Sequence, residues 1–121
     1  MSGEREILEA IEVSERPWGR FESFVQNRAV TVKIITLDPG HRLSLQRHNH
    51  RAEMWRALDE PVTAEVDGAL RTLQAGETVL VPLGAVHRLG NTGDAPARIL
   101  EIAFGDFDED DIERLEDDYR R

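Results

Sequence analysis

The chain of 121 residues contains no cysteine, and of its 15 basic residues only Lys33 is a lysine. The missing thiols exclude disulfides, thiolate metal sites and thiol nucleophiles, so any metal here is held by imidazole and oxygen. Long apolar runs are absent too: nothing approaches the roughly 18 residues of a membrane span, and the acidic start MSGEREILEAIE is unlike a secretory signal. The expectation is a cytoplasmic, soluble protein without a membrane partner. Basic charge is in deficit, with 24 acidic residues against 15 basic and a net charge of -9 at pH 7. Nucleic acid is therefore excluded as the default partner, because the phosphate backbone demands a basic face. Length is short as well. It suits a single domain, whereas a nucleotide-binding domain beside it would need roughly another domain's worth of chain.

The charge is unevenly spread. Residues 1–15 carry -4, residues 16–56 carry +5, residues 57–105 carry -4 and residues 106–121 carry -6. The one basic stretch also holds Lys33 and three of the four histidines, His41, His48 and His50. An acidic protein thus keeps a local cationic region suited to an anionic ligand.

From Arg20 to Phe104 short segments rich in Val, Ile, Leu, Thr and Phe alternate with turn signals such as Asp38-Pro39-Gly40, Asp67-Gly68 and Asn91-Thr92-Gly93-Asp94. Turns every 8–12 residues or so predict an all-β sandwich or barrel. Strands are expected at about 20–26, 30–37, 43–50, 52–58, 62–66, 69–74, 77–81, 86–90 and 97–104. Ile112, Leu115 and Tyr119 recur at helical spacing among acids, which predicts a short amphipathic helix at the C-terminus, and residues 4–12 read as a further turn or two of helix. The acidic tail reads as a solvated helix face; its alternative role is a lid over the barrel mouth, with Tyr119 and Arg121 near a substrate.

One spacing carries chemistry. Gly76, Pro82, Gly84, His87 and Asn91 follow the pattern Gly-x5-Pro-x-Gly-x2-His-x3-Asn. A strand, a turn set by Pro82 and Gly84, and a return strand would aim His87 inward. Upstream, Gln46, His48 and His50 alternate, so in a regular strand they share a face. Three imidazoles from two segments, with Gln46 as a fourth ligand, would suit a divalent transition metal: Zn, Mn, Co, Ni or Fe. By the same alternation Met54 falls on the ligand face and Glu53 does not.

The spaced motif resembles the second motif of the cupin superfamily, which implies a double-stranded β-helix, or jelly-roll barrel, over about 16–105, followed by the short helix over about 106–121, all in one domain. The run Leu43-Ser44-Leu45-Gln46-x-His48-x-His50-Arg51-Ala52-Glu53-x-Trp55 resembles the cupin domain of type II mannose-6-phosphate isomerases, as do Arg16-Pro17-Trp18-Gly19 and the C-terminal Glu109-Asp110-Asp111-Ile112-x-Arg114. That family usually has His where this chain has Met54, and an apolar residue where it has Arg56. The resemblance implies a stand-alone, metal-dependent isomerase for mannose 6-phosphate and fructose 6-phosphate, without guanylyltransferase activity, in a homodimer. Its metal would sit on His48, His50, His87 and Gln46. Arg51 and Lys33 would serve as electrophile and phosphate ligands and Glu53 as general base. Met54 and Arg56 favour an alternative, a sugar- or metabolite-binding cupin without catalysis; an Fe(II)-dependent dioxygenase-type cupin is the third reading. Trp18 and Trp55 read as core or rim packing, and His41 as exposed.

Overall fold

The computed structural model describes residues 11–108 and 110–119. These form strands β1 (Glu12–Arg16), β2 (Gly19–Ser23), β3 (Val30–Leu37), β4 (Leu45–Arg47), β5 (Arg51–Ala57), β6 (Val62–Val66), β7 (Ala69–Leu73), β8 (Thr78–Val81), β9 (His87–Gly90), β10 (Ala97–Gly105) and β11 (Glu113–Glu116). The first two make an antiparallel hairpin. The others form a four-stranded sheet, in the order β3-β10-β5-β8, and a five-stranded sheet, in the order β11-β4-β9-β6-β7. Every pairing is antiparallel. No helix among the described residues is long and apolar enough to cross a membrane.

Alternation along the strands decides what each sheet face buries. Trp55, Ala57, Leu37, Ala97 and Ile99 of the four-stranded sheet meet Val62, Ala64, Leu73 and Leu89 of the five-stranded sheet in one shared core. Each large apolar side chain buried there contributes roughly 1.5–3 kcal/mol relative to exposure. The opposite face of the four-stranded sheet carries Met54, Ile102 and Phe104, covered by Ile11, Phe24, Val25 and Val30. Turn chemistry fixes the registers. Asp67 (φ 49°) and Gly68 (φ 82°) make the two-residue link of β6 to β7 with both central residues in the left-handed region, the geometry that matches strand twist.

Two expectations are corrected. The C-terminal helix is not found among the described residues: residues 113–116 are extended and pair with β4. Three apolar points at helical spacing are a weak signal, and the free edge of a three-residue strand supplied backbone partners that a helix would have forgone. At the other end, residues 4–10 of the expected helical turn lie outside the described residues, and Glu12 begins strand β1. The strand expected at 43–50 is also shorter, because β4 ends at Arg47 and the chain bends at residues 49 and 50 before β5.

Candidate metal centre

Four elements bring the polar side chains of the barrel interior together. His48 follows the end of β4, Glu53 lies on β5, His87 opens β9 and Glu101 lies on β10. The motif turn ties the first to the third: Gly84 (φ 79°) donates its backbone N–H to the His48 carbonyl at 3.1 Å, while Ala85 N–H closes the turn onto Pro82 O. His48, Glu53 and His87 are 3%, 2% and 3% exposed, and one ligand atom from each lies within 4.8 Å of the others, a spacing that could hold a metal ion.

The proton positions in this cluster follow from its neighbours. Arg51 Nη2 lies 3.1 Å from His48 Nε2, and a guanidinium can only donate. His48 Nε2 is therefore an acceptor, so the ring proton sits on Nδ1 and is donated to the Asp111 carbonyl at 2.6 Å. Burial pushes the His48 pKa down, partly offset by that carbonyl, which favours the neutral imidazole that metals bind. His87 faces acceptors on both sides: Ala85 O stands 2.9 Å from Nδ1, and Glu53 Oε1 stands 3.1 Å from Nε2. Once Nδ1 donates to Ala85, a proton or a cation has to lie between His87 Nε2 and Glu53. Glu53 Oε1 is buried without a well-formed hydrogen bond and is 3.6 Å from His48 Nε2 as well. An orphaned carboxylate oxygen between two inward-aimed imidazole nitrogens fits a divalent cation, which would take the His48 Nε2 lone pair from Arg51 Nη2, and neutral imidazole plus carboxylate is a suitable donor set for one. Burial opposes the charge on Glu53, but the adjacent His87 and His48 rings hold its carboxyl below the usual range.

A cavity of about 200 Å³ opens beside this cluster, lined also by Lys33, Gln46, Arg51, Trp55, Glu101 and Arg114. Glu101 receives the Trp55 indole N–H at 3.1 Å, and burial, followed by the neighbouring Glu53 charge, pushes its carboxyl up to about 7. The residues leading into β11 close one side. Phe107 lies under two cations, with Lys33 Nζ 4.3 Å and Arg51 Cζ 4.4 Å from its ring centroid, and Arg51 Nη1 donates to Asp108 O at 3.1 Å.

The residues expected from sequence divide accordingly. His48, His87, Gln46, Lys33, Arg51 and Glu53 all line this cavity. His50 does not: it is exposed and stands outside the cluster. Its expected alternation with His48 fails because the chain leaves β4 and enters the other sheet between them. The same bend resets the parity of β5, so Glu53 points inward and Met54 packs on the outer apolar face. Arg56 shares that outer face, pairing with Glu22 at 2.8 Å and lying over Phe24. Gln46 sits opposite His87 in the β4–β9 pair, and its amide nitrogen donates to Ser44, which leaves the amide oxygen for the cavity. Asn91 of the motif is structural: it donates to Leu37 O and Ala95 O and receives Gly93 N–H. Trp55 is buried in the core as expected, Trp18 is 72% exposed, and exposed His41 contacts the Tyr119 hydroxyl at 2.7 Å. Sequence reading missed Glu101, Phe107 and Asp111 as neighbours of the site. Glu101 carried a signal, because an acid among apolar residues on a strand destined for the core needs buried partners.

A jelly-roll barrel with imidazoles and a carboxylate gathered inside it defines a cupin. A cupin 2 conserved barrel domain protein from Salinispora arenicola superposes with a TM-score of 0.58 at 22% identity, over 78% of this chain and 75% of that one. An oxalate oxidase in complex with glycolate superposes with a TM-score of 0.64 at 19% identity, over 71% and 46%. Likenesses at such identities establish the fold alone. The family described as mannose-6-phosphate isomerase C-terminal matches residues 3–117, and the chain belongs to it. The alginate biosynthesis protein AlgA of Pseudomonas aeruginosa is 43% identical over 107 residues, and the mannose-1-phosphate guanylyltransferase ManC of Salmonella typhimurium is 39% identical over 107. The match covers 88% of this chain but only 22% of either relative.

Proposed function

We propose that the chain is a divalent-metal-dependent isomerase that interconverts mannose 6-phosphate and fructose 6-phosphate. The observation that carries this reading is the meeting of the His48–Glu53–His87 cluster with Lys33, Arg51 and Glu101 in one cavity. The metal would be held by those three side chains with the Gln46 amide oxygen beside them, in place of a set that includes His50. A bound cation would act as a Lewis acid on the sugar's C1 and C2 oxygens.

The remaining groups match what an aldose–ketose isomerisation requires. Arg51 has a buried Nε that forms no hydrogen bond and faces Glu53 Oε2 at 3.5 Å, a donor close enough to turn to the oxyanion of an enediolate. With Glu53 taken up by the cluster, Glu101 is the buried carboxyl left in the cavity to move the proton between C1 and C2. Lys33 and Arg114, which line the same cavity, supply charge for the phosphate dianion. The family's usual His at the position of Met54 has no bearing on these groups, since that side chain lies on the other face of the sheet.

A coupled assay with mannose 6-phosphate and added Zn, Mn, Co or Ni tests the proposal. Turnover that chelation abolishes and metal restores is the expected result. A folded, metallated sample that turns over with none of the four ions overturns the isomerase reading, and saturable sugar-phosphate binding without turnover would identify a non-catalytic cupin instead.

A further inference from the structure

Beyond these groups, Asp111 of the tail touches the site twice without lining the cavity. Its backbone carbonyl takes the His48 Nδ1 proton at 2.6 Å. Its carboxylate reaches back to the same turn: Oδ1 accepts the Asn49 N–H and Oδ2 the His50 N–H, each at 2.9 Å. Those amides belong to the bend where β4 has ended and β5 has not begun, so no ladder partner holds them. Both oxygens of one half-buried carboxylate are thus spent on the two residues that follow a buried histidine, and the carbonyl of the same residue orients that histidine's ring.

We infer that Asp111 is a positioning residue for the metal centre: its carboxylate clamps residues 49 and 50, and this clamp holds its carbonyl where it sets the aim of the His48 ring, whose Nδ1 tautomer Arg51 enforces from the other side. The inference rests on the metal-binding reading of the cluster. The physical logic is that a ring nitrogen can bind a cation only if the other nitrogen carries the proton, and that the group accepting this proton sets the ring's angle. Here the acceptor is a main-chain oxygen on a segment outside the core, so its position is only as firm as the contacts that pin that segment. The Asp111 carboxylate supplies the two contacts nearest the histidine. The nearby ion pair of Arg47 with Glu113, at 2.9 Å and exposed, pins the same segment without touching the turn.

Two readouts on Asp111→Ala, Asp111→Asn and the control Glu113→Gln test this. The first is the affinity for Zn²⁺ or Mn²⁺ alone, by competition with a chromophoric chelator. Loss of the clamp is expected to weaken binding about 10- to 100-fold, with Asp111→Asn between Ala and wild type because it keeps one acceptor oxygen, and with the control within about twofold. The second is the ¹⁵N spectrum of His48 in metal-free protein, which identifies the protonated nitrogen. Wild type should show the proton on Nδ1, and Asp111→Ala should keep it there, because Arg51 still faces Nε2, but with the Nδ1 resonance shifted as its hydrogen bond weakens. A wild-type proton on Nε2 overturns the inference. So does a folded Asp111→Ala with unchanged Nδ1 resonance and affinity, even if its Tm falls, because that outcome makes Asp111 merely structural. Should Asp111→Ala fail to fold, Asp111→Asn decides by the same criteria. If wild type takes up no metal, the metal reading fails, and the Nδ1 resonance still decides whether Asp111 positions His48.

Discussion

The barrel interior has two halves that the same strands build. Toward one end β5 contributes Trp55 and Ala57, β10 contributes Ile99 and Ala97, β3 contributes Ile35 and Leu37, and β9 contributes Leu89. Toward the other end those strands contribute Arg51 and Glu53, Glu101, Lys33 and His87. A step of two residues along a strand keeps the face and changes the chemistry. The apolar half gains burial energy with little polar to satisfy beyond the Trp55 indole N–H, which Glu101 accepts. The polar half carries buried charges whose desolvation is only partly offset by their hydrogen bonds, and it keeps two unsatisfied atoms, Arg51 Nε and Glu53 Oε1. The difference teaches that stability is concentrated at one end so that the other can hold groups poised for a cation and an anionic ligand.

Breaking the apolar half should have the largest effect. Trp55→Ala removes the largest fully buried side chain and should lower unfolding stability by about 3–5 kcal/mol in denaturant titration. It should also disturb the polar half, since the indole N–H holds Glu101 and the ring packs against His87 with centroids 5.4 Å apart. Met54→His sharpens the contrast between the two faces of the sheet and should have the smallest effect on the site. It buries an imidazole among Ile102, Phe104 and Phe24, so Tm should fall, yet metal affinity should stay within about twofold because the side chain cannot reach the cavity. A large gain in metal affinity would mean that β5 presents its other face to the barrel.

The barrel was legible because its turns are chemically marked: Asp67-Gly68 and the Pro82-Leu83-Gly84 turn could hardly be anything but strand links. The first hairpin was half missed because Glu12–Arg16 is mostly exposed and offers little apolar alternation to read. The tail was misread because its three apolar residues fit a helical period, while the edge of β4 that recruited it is a tertiary fact. In the site, His48 and His87 were legible from spacing. His50 and Glu53 were exchanged because alternation holds only within an unbroken strand, and a bend of a few residues shifted every later side chain to the opposite face. Glu101, Phe107 and Asp111 become neighbours of the site only once β10 is laid beside β5 and the tail folds back, which no local pattern encodes.

The proposed chemistry stands on a metal centre in the polar half of the barrel, built on His48, Glu53 and His87. The most direct test is metal stoichiometry and affinity after stripping and reloading, measured on wild type beside His87→Ala, with folding checked by near-ultraviolet circular dichroism. Wild type should hold about one divalent ion per chain, with binding that weakens as the pH is lowered and the ligands take up protons, and His87→Ala should lose that ion. Unchanged metal content and affinity in folded His87→Ala would contradict it.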